Sequence, residues 1–187
     1  ALPERRERER LERSGQRMKR PARGRARPRR SSHFDEKGAA RMVDVGEKAV
    51  TSREAVARGR VSLSREAFDS IVSGTAKKGD VLGVARIAAI QAAKRTADWI
   101  PLCHPLALDA LEVSFEPDAS GPAISIEALV RTSARTGVEM EAMVAVSAAA
   151  LTIYDMCKSI DRGISIGDVR LVRKSGGKSG LYQRAGE

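Results

Sequence analysis

Asp155 and Lys158 stand three residues apart in TGVEMEAMVAVSAAALTIYDMCKSIDRG, the stretch from Thr136 to Gly163. On a helix that spacing makes them neighbours on one face. A lysine beside a carboxylate in a partly dry pocket can act as a proton donor, and a second desolvated cation would push its pKa down towards neutrality. The same spacing also suits a surface ion pair worth only about 0.5 kcal/mol. Spacing alone leaves both readings open.

Other groups capable of chemistry are scattered along the chain. Glu139 and Glu141 are two apart, which on a helix points them in different directions. One pocket can use both only at a helix start or from two subunits, and a solvated acidic first turn is the plain alternative. His104 lies in Ile100-Pro101-Leu102-Cys103-His104-Pro105-Leu106, where two prolines remove amides and restrict their predecessors. A stiff loop that presents the imidazole is expected. Cys103, His104 and Cys157 form no CxxC or HxxxH pair, so no metal site is expected. The segment KSGGKSG, Lys174 to Gly180, has the glycines and lysines of an anion cradle, but also the composition of a flexible basic tail. It is not a Walker A loop, because Val172 occupies the place of that motif's first glycine.

The elements that must position these residues follow from pattern. Thr136, three before Glu139, predicts a capping box and a helix start. Ala142 to Leu151 is almost wholly apolar, too much so for a surface helix and too short for a bilayer span, so a buried central helix is expected, stopped by Gly163. A short extended stretch over Arg41 to Val45 carries Asp44, and Thr51 to Arg58 reads as a turn of helix bearing Arg53. Val61 to Leu63 reads as a strand, and Ser64 caps a helix over Arg65 to Val72. After the turn Lys77-Lys78-Gly79-Asp80, a stripe of Val84, Ile87, Ala88, Ile90 and Ala92 predicts a second long helix. Alternation over Leu111 to Phe115 and Ile124 to Val130 predicts a hairpin, and Ile164 to Val172 another strand. This order favours an α+β sandwich, an antiparallel sheet covered on one face by helices.

The 187 residues suffice for one domain with a real core, but only 3% are aromatic, too few for a base-stacking surface. The formal charge of +10 is concentrated in residues 1–30, which hold 13 Arg and Lys against 4 Glu. Residues 31–187 keep 21 basic and 20 acidic groups and are nearly neutral. A basic disordered extension over 1–30 is expected, followed by the domain 31–187. The extension alone would speak for nucleic acid as a partner, and its glutamates argue against a mitochondrial presequence. Two cysteines are too few for a disulfide framework, and with no visible signal peptide or membrane span the expected compartment is the cytoplasm.

The stretches MVDVGEKAVTSREA, KKGDVLGVARIAAIQAAKRT, DWIPLCHPL, TGVEMEA, ALTIYDMCKSI and VRLVRKSGGKSG, in order from about Ser31 to Gly180, resemble the molybdenum cofactor biosynthesis protein C family, the cyclic pyranopterin monophosphate synthases. Such enzymes rearrange the cyclised dihydro-GTP made by a radical SAM partner into a tricyclic pyranopterin with a cyclic phosphate, releasing pyrophosphate. The resemblance implies a ferredoxin-like subunit in a homohexamer, a trimer of dimers, with active sites at subunit interfaces. It implies Asp155 and Lys158 as the catalytic pair. Asp44, Arg53, Lys78, Leu102, Cys103, His104, Glu139, Met140, Glu141 and Lys174 are implied as substrate-binding. None of the steps is a redox step, so no nicotinamide, flavin or iron–sulfur cofactor is expected, and magnesium is compatible with the triphosphate. Rival expectations are a basic nucleic-acid-binding module, a nucleotide-binding regulatory protein without turnover, and a purely structural oligomer.

Overall fold

The computed structural model describes residues 34–35 and 37–187. The expected extension over 1–30 lies outside the described residues.

Among the described residues, five strands and four helices follow in the order β1 (Thr51–Ser62), α1 (Arg65–Val72), α2 (Val81–Ala93), α3 (Thr96–Trp99), β2 (Ala110–Asp118), β3 (Ala123–Ala134), α4 (Glu139–Cys157), β4 (Ser165–Ser175) and β5 (Tyr182–Gln183). The strands form one sheet in the order β2-β3-β1-β4-β5, every neighbouring pair antiparallel. Without the short β5, this is the β-α-β-β-α-β arrangement of a ferredoxin-like fold. The α+β sandwich read from the sequence is the one observed.

The core lies between one sheet face and the helices. Along β1, Ala55, Ala57 and Val61 are fully buried, as are Ile124, Ile126, Ala128 and Val130 of β3. Eleven residues of α4 are buried, among them Ala142, Ala145, Val146, Ala149 and Ile153. Alanines at Ala85, Ala89 and Ala93 of α2 are likewise buried, so α2 and α4 meet through small side chains. By length and composition α4 could cross a membrane, yet most of it is covered by sheet and helix as a core helix. Where α4 crosses β1 there is no room for a side chain: a Cβ on Gly59 would stand 2.6 Å from Val146 Cγ1.

Three local expectations are corrected. Thr51 to Arg58 is strand, not a turn of helix: Ala55 and Ala57 are small and fully buried, and β3 and β4 pair with β1 on both sides. The capping box does not form, because α4 starts at Glu139 with Val138 in the cap position and no side-chain cap. The Glu139 carboxylate is engaged by Lys174 instead. On α2 the stripe of larger residues faces outward, with Val84 45% and Ile87 59% exposed, while the alanines face the core. The close approach to α4 selects small residues inside. Ser64 does cap α1, accepting from the Ala67 amide at 3.3 Å.

Candidate active site

Chemistry-bearing groups collect at both ends of α4. At its N-terminal end a cavity of about 370 Å³ is lined from three directions. Val43, Val45 and Lys48 come from the segment before β1. Leu102, Cys103, His104 and Leu106 come from the proline-bounded loop, and Thr136, Gly137, Glu139, Met140 and Glu141 from the entry to α4. The proline loop thus holds His104 half-buried at the cavity wall. Glu139 and Glu141 both reach this cavity despite their spacing, because the first turn of the helix forms its wall.

The two carboxyls differ in environment. Glu139 pairs with Lys174, whose Nζ lies 3.1 Å from Oε1. Lys174 also donates to Ser179 Oγ at 2.6 Å, so strand β4 and the glycine turn after it deliver this ammonium to the cavity edge. Glu141 is 4% exposed. Burial above all, with a smaller push from the Glu139 charge, raises its pKa to about 7 against the pull of its own backbone amide. The Cys103 thiol is raised by burial first and then by Glu141 and Glu139.

At the other end of α4, Asp155 sits between two ammonium groups. Lys158 Nζ donates to Asp155 Oδ1 at 2.7 Å. Lys78, brought in by the turn before α2, donates to Oδ2 at 3.0 Å and to the Asp155 carbonyl oxygen at 2.7 Å. All three side chains are about half exposed. The hydrogen bond from Lys158, followed by that from Lys78, holds the Asp155 carboxyl below its usual range, and Asp155 in turn raises Lys158. Within one subunit Lys158 is thus raised, not pushed down by a neighbouring cation. The carboxylate between the two cations and the open solvent favour the ammonium form.

The remaining predicted residues are placed differently again. Asp44 is exposed and its Oδ1 accepts from the Gly46 amide at 2.8 Å, so it shapes a turn between the cavity residues Val43 and Val45. Arg53 donates through Nε to the Ala134 carbonyl at 2.9 Å and through Nη2 to the Arg135 carbonyl at 3.0 Å. Its guanidinium lies against Gly177, whose φ of +68° favours glycine.

One chain therefore brings together Leu102, Cys103, His104, Glu139, Met140 and Glu141, with Lys174 at the edge. It does not bring Asp155, Lys158 and Lys78 to them. Sixteen residues of helix separate Glu139 from Asp155, about 24 Å at 1.5 Å per residue. The sequence reading missed Lys48 as a lining cation, although it stands in the quoted stretch MVDVGEKAVTSREA. It also missed Ser179 as a partner of Lys174. Among the described residues, no three His, Cys, Asp or Glu side chains cluster as metal ligands.

The fold and these two clusters define a ferredoxin-like α+β domain with acid–base groups at both ends of its core helix. The MoaC family model matches residues 42–177, which contain both clusters, and the chain belongs to the MoaC family. It is 58% identical over 156 residues to the cyclic pyranopterin monophosphate synthase of Pelotomaculum thermopropionicum, covering 83% of this chain and 92% of that one. The enzyme of the same name from Chloroflexus aggregans is 60% identical over 153 residues, 82% of this chain and 93% of the relative. That from Parvibaculum lavamentivorans is 56% identical over 152 residues, 81% and 95%.

Proposed function

We propose that this protein is a cyclic pyranopterin monophosphate synthase of molybdenum cofactor biosynthesis, a lyase. It converts cyclised dihydroguanosine triphosphate into cyclic pyranopterin monophosphate and releases pyrophosphate. The observation that carries this reading is the family match spanning both clusters, together with the likeness to curated synthases over nearly their whole length.

In this reading the active site is completed by two subunits, one giving the cavity around His104 and the other the Lys78–Asp155–Lys158 group. The separation of about 24 Å along α4 supports it, because one chain cannot bring both to a single ligand. Assembly also gives the exposed Val84, Ile87, Trp99 and Leu151 something to cover them, in keeping with a homohexamer. Inserted beside a neighbour's cavity, Asp155 and Lys158 lose solvent, and Lys158 becomes a proton donor and acceptor poised by Asp155. Lys174, Lys78 and Lys48 hold the phosphates, and their fixed charge steadies the anion that develops as a ribose-derived hydroxyl attacks the α-phosphate. Arg53 keeps in place the glycine turn whose Ser179 holds Lys174.

Protons are delivered and removed as the guanine-derived ring opens and the pterin closes, a phosphoryl displacement forms the cyclic phosphate, and magnesium, where it takes part, travels on the triphosphate. The substrate comes from a radical SAM cyclase acting on GTP, in the cytoplasm, in keeping with the two free cysteines. Incubation with enzymatically made cyclised dihydro-GTP, followed by mass detection, tests the reading. The cyclic phosphate product and one pyrophosphate per turnover are expected; substrate bound stoichiometrically and recovered unchanged would instead identify a nucleotide-binding regulator.

A further inference from the structure

Behind the proline loop lies a second cavity of about 250 Å³, lined by the end of α2, by α3 and by Pro105 to Ala107. Among the described residues, only Glu141 and Leu106 line both this cavity and the one containing His104. Glu141 is therefore part of the partition between a front cavity, where the substrate is proposed to sit, and a rear cavity opening beside Lys94, Arg95 and Asp98. Its side chain is more than nine-tenths buried, and among the described residues its carboxyl bonds only its own backbone amide. A carboxyl in this position faces two spaces and is committed to no permanent partner.

We propose that Glu141 is a proton relay, drawing protons from the rear cavity and passing them to the ligand in the front cavity. The role rests on the substrate reading given above. In the forward step the Glu141 O–H bond breaks and an N–H or O–H bond forms on a basic atom of the bound pterin precursor. The carboxylate left behind regains its proton from hydronium or a buffer acid through the rear cavity. One proton enters, one leaves, and no electrons change hands.

The surroundings suit such cycling. On its own helix Glu139 opposes ionisation of Glu141, while Lys174 from β4 neutralises Glu139. From the loop, Cys103 and His104 face the front cavity beside Lys48, and across the partition Lys94 and Arg95 oppose Asp98. Burial raises the pKa of Glu141 to about 7, where proton donor and acceptor forms coexist near neutral pH.

Two measurements on the full chain test the relay. The first needs no substrate: carboxyl NMR of the protein labelled with 13C-glutamate. One carboxyl is expected to titrate near neutrality and to be missing from Glu141→Gln; if every carboxyl titrates in the ordinary range, the proposal is overturned. The second is turnover. Glu141→Gln should lower kcat about 100-fold with KM nearly unchanged, and formate should restore part of the rate in Glu141→Ala. Ala97→Leu, which narrows the rear cavity away from the substrate, should lower kcat and make it depend on buffer concentration. Should Glu141→Gln fail to fold, Ala97→Leu decides alone: an unchanged kcat rules out the rear route. Wild-type protein that shows the neutral titration but forms no pterin contradicts the substrate reading, not the relay group.

Discussion

Lys174 Nζ lies 3.1 Å from Glu139 Oε1 at the start of α4, while Lys158 and Lys78 hold Asp155 at its end. The same core helix thus carries one acid–base cluster at each terminus. A helix is rigid on this scale, so no side-chain motion within one subunit joins them. In the two-subunit reading proposed above, each subunit gives groups to two different sites.

Mixing inactive variants tests that arrangement. Lys158→Ala and His104→Ala should each be inactive alone. After dissociation and random reassembly of equal amounts, about a quarter of the sites receive both intact halves, and that fraction of turnover returns. No recovery in a verified mixed oligomer would mean that each chain supplies a whole site.

Lys158→Ala separates catalysis from stability. In the isolated subunit its ammonium is about half exposed and its pairing with Asp155 is open to water, so the thermal midpoint of the dissociated subunit should hardly move. Pterin formation should fall by a factor of about 100 or more. Turnover close to wild type would remove Lys158 from the mechanism.

Glu141 sets a pH dependence of stability with a definite sign. Its folded pKa of about 7 exceeds the ordinary 4.5, so between those values the folded state holds a proton that the unfolded state has lost. Stability from this group is full at low pH and is lost as pH rises through about 7, by up to roughly 3 kcal/mol. Glu141→Gln, which cannot ionise, should flatten that decline and be the more stable protein at pH 8, as measured by urea unfolding.

Gly176 tests the glycine turn. Its φ is +93°, and a Cβ there would run into the Ser52 carbonyl oxygen. Gly176→Ala should cost about 1–3 kcal/mol and displace the turn that bonds Lys174. Weaker binding of pyrophosphate by calorimetry is expected, together with a lower urea midpoint.

Removing residues 1–30 should leave turnover intact, because the family match begins at residue 42 and both clusters lie beyond it. Salt-sensitive binding of DNA or RNA found only in the full chain would show a second, separable function of the basic segment.

The sequence by itself determined most of the elements and the residue types of the site. Alternation over Leu111–Phe115 and Ile124–Val130 is a local signal that one buried sheet face imposes, and β2 and β3 follow it. Two prolines beside His104 restrict the backbone whatever surrounds them. The apolar run of Ala142 to Leu151 has no place except a core, which is where α4 lies. The start of β1 was not legible, because its strand character comes from pairing with β3 and β4, far away in the chain. Nor was the outward turn of Val84 and Ile87, since side-chain size inside α2 is set by the distance to α4. Only the tertiary structure decided that Glu141 stands between two cavities while Glu139 meets Lys174, and that Asp155 lies a helix length from His104. Separation and burial are properties of packed elements, and periodicity carries neither.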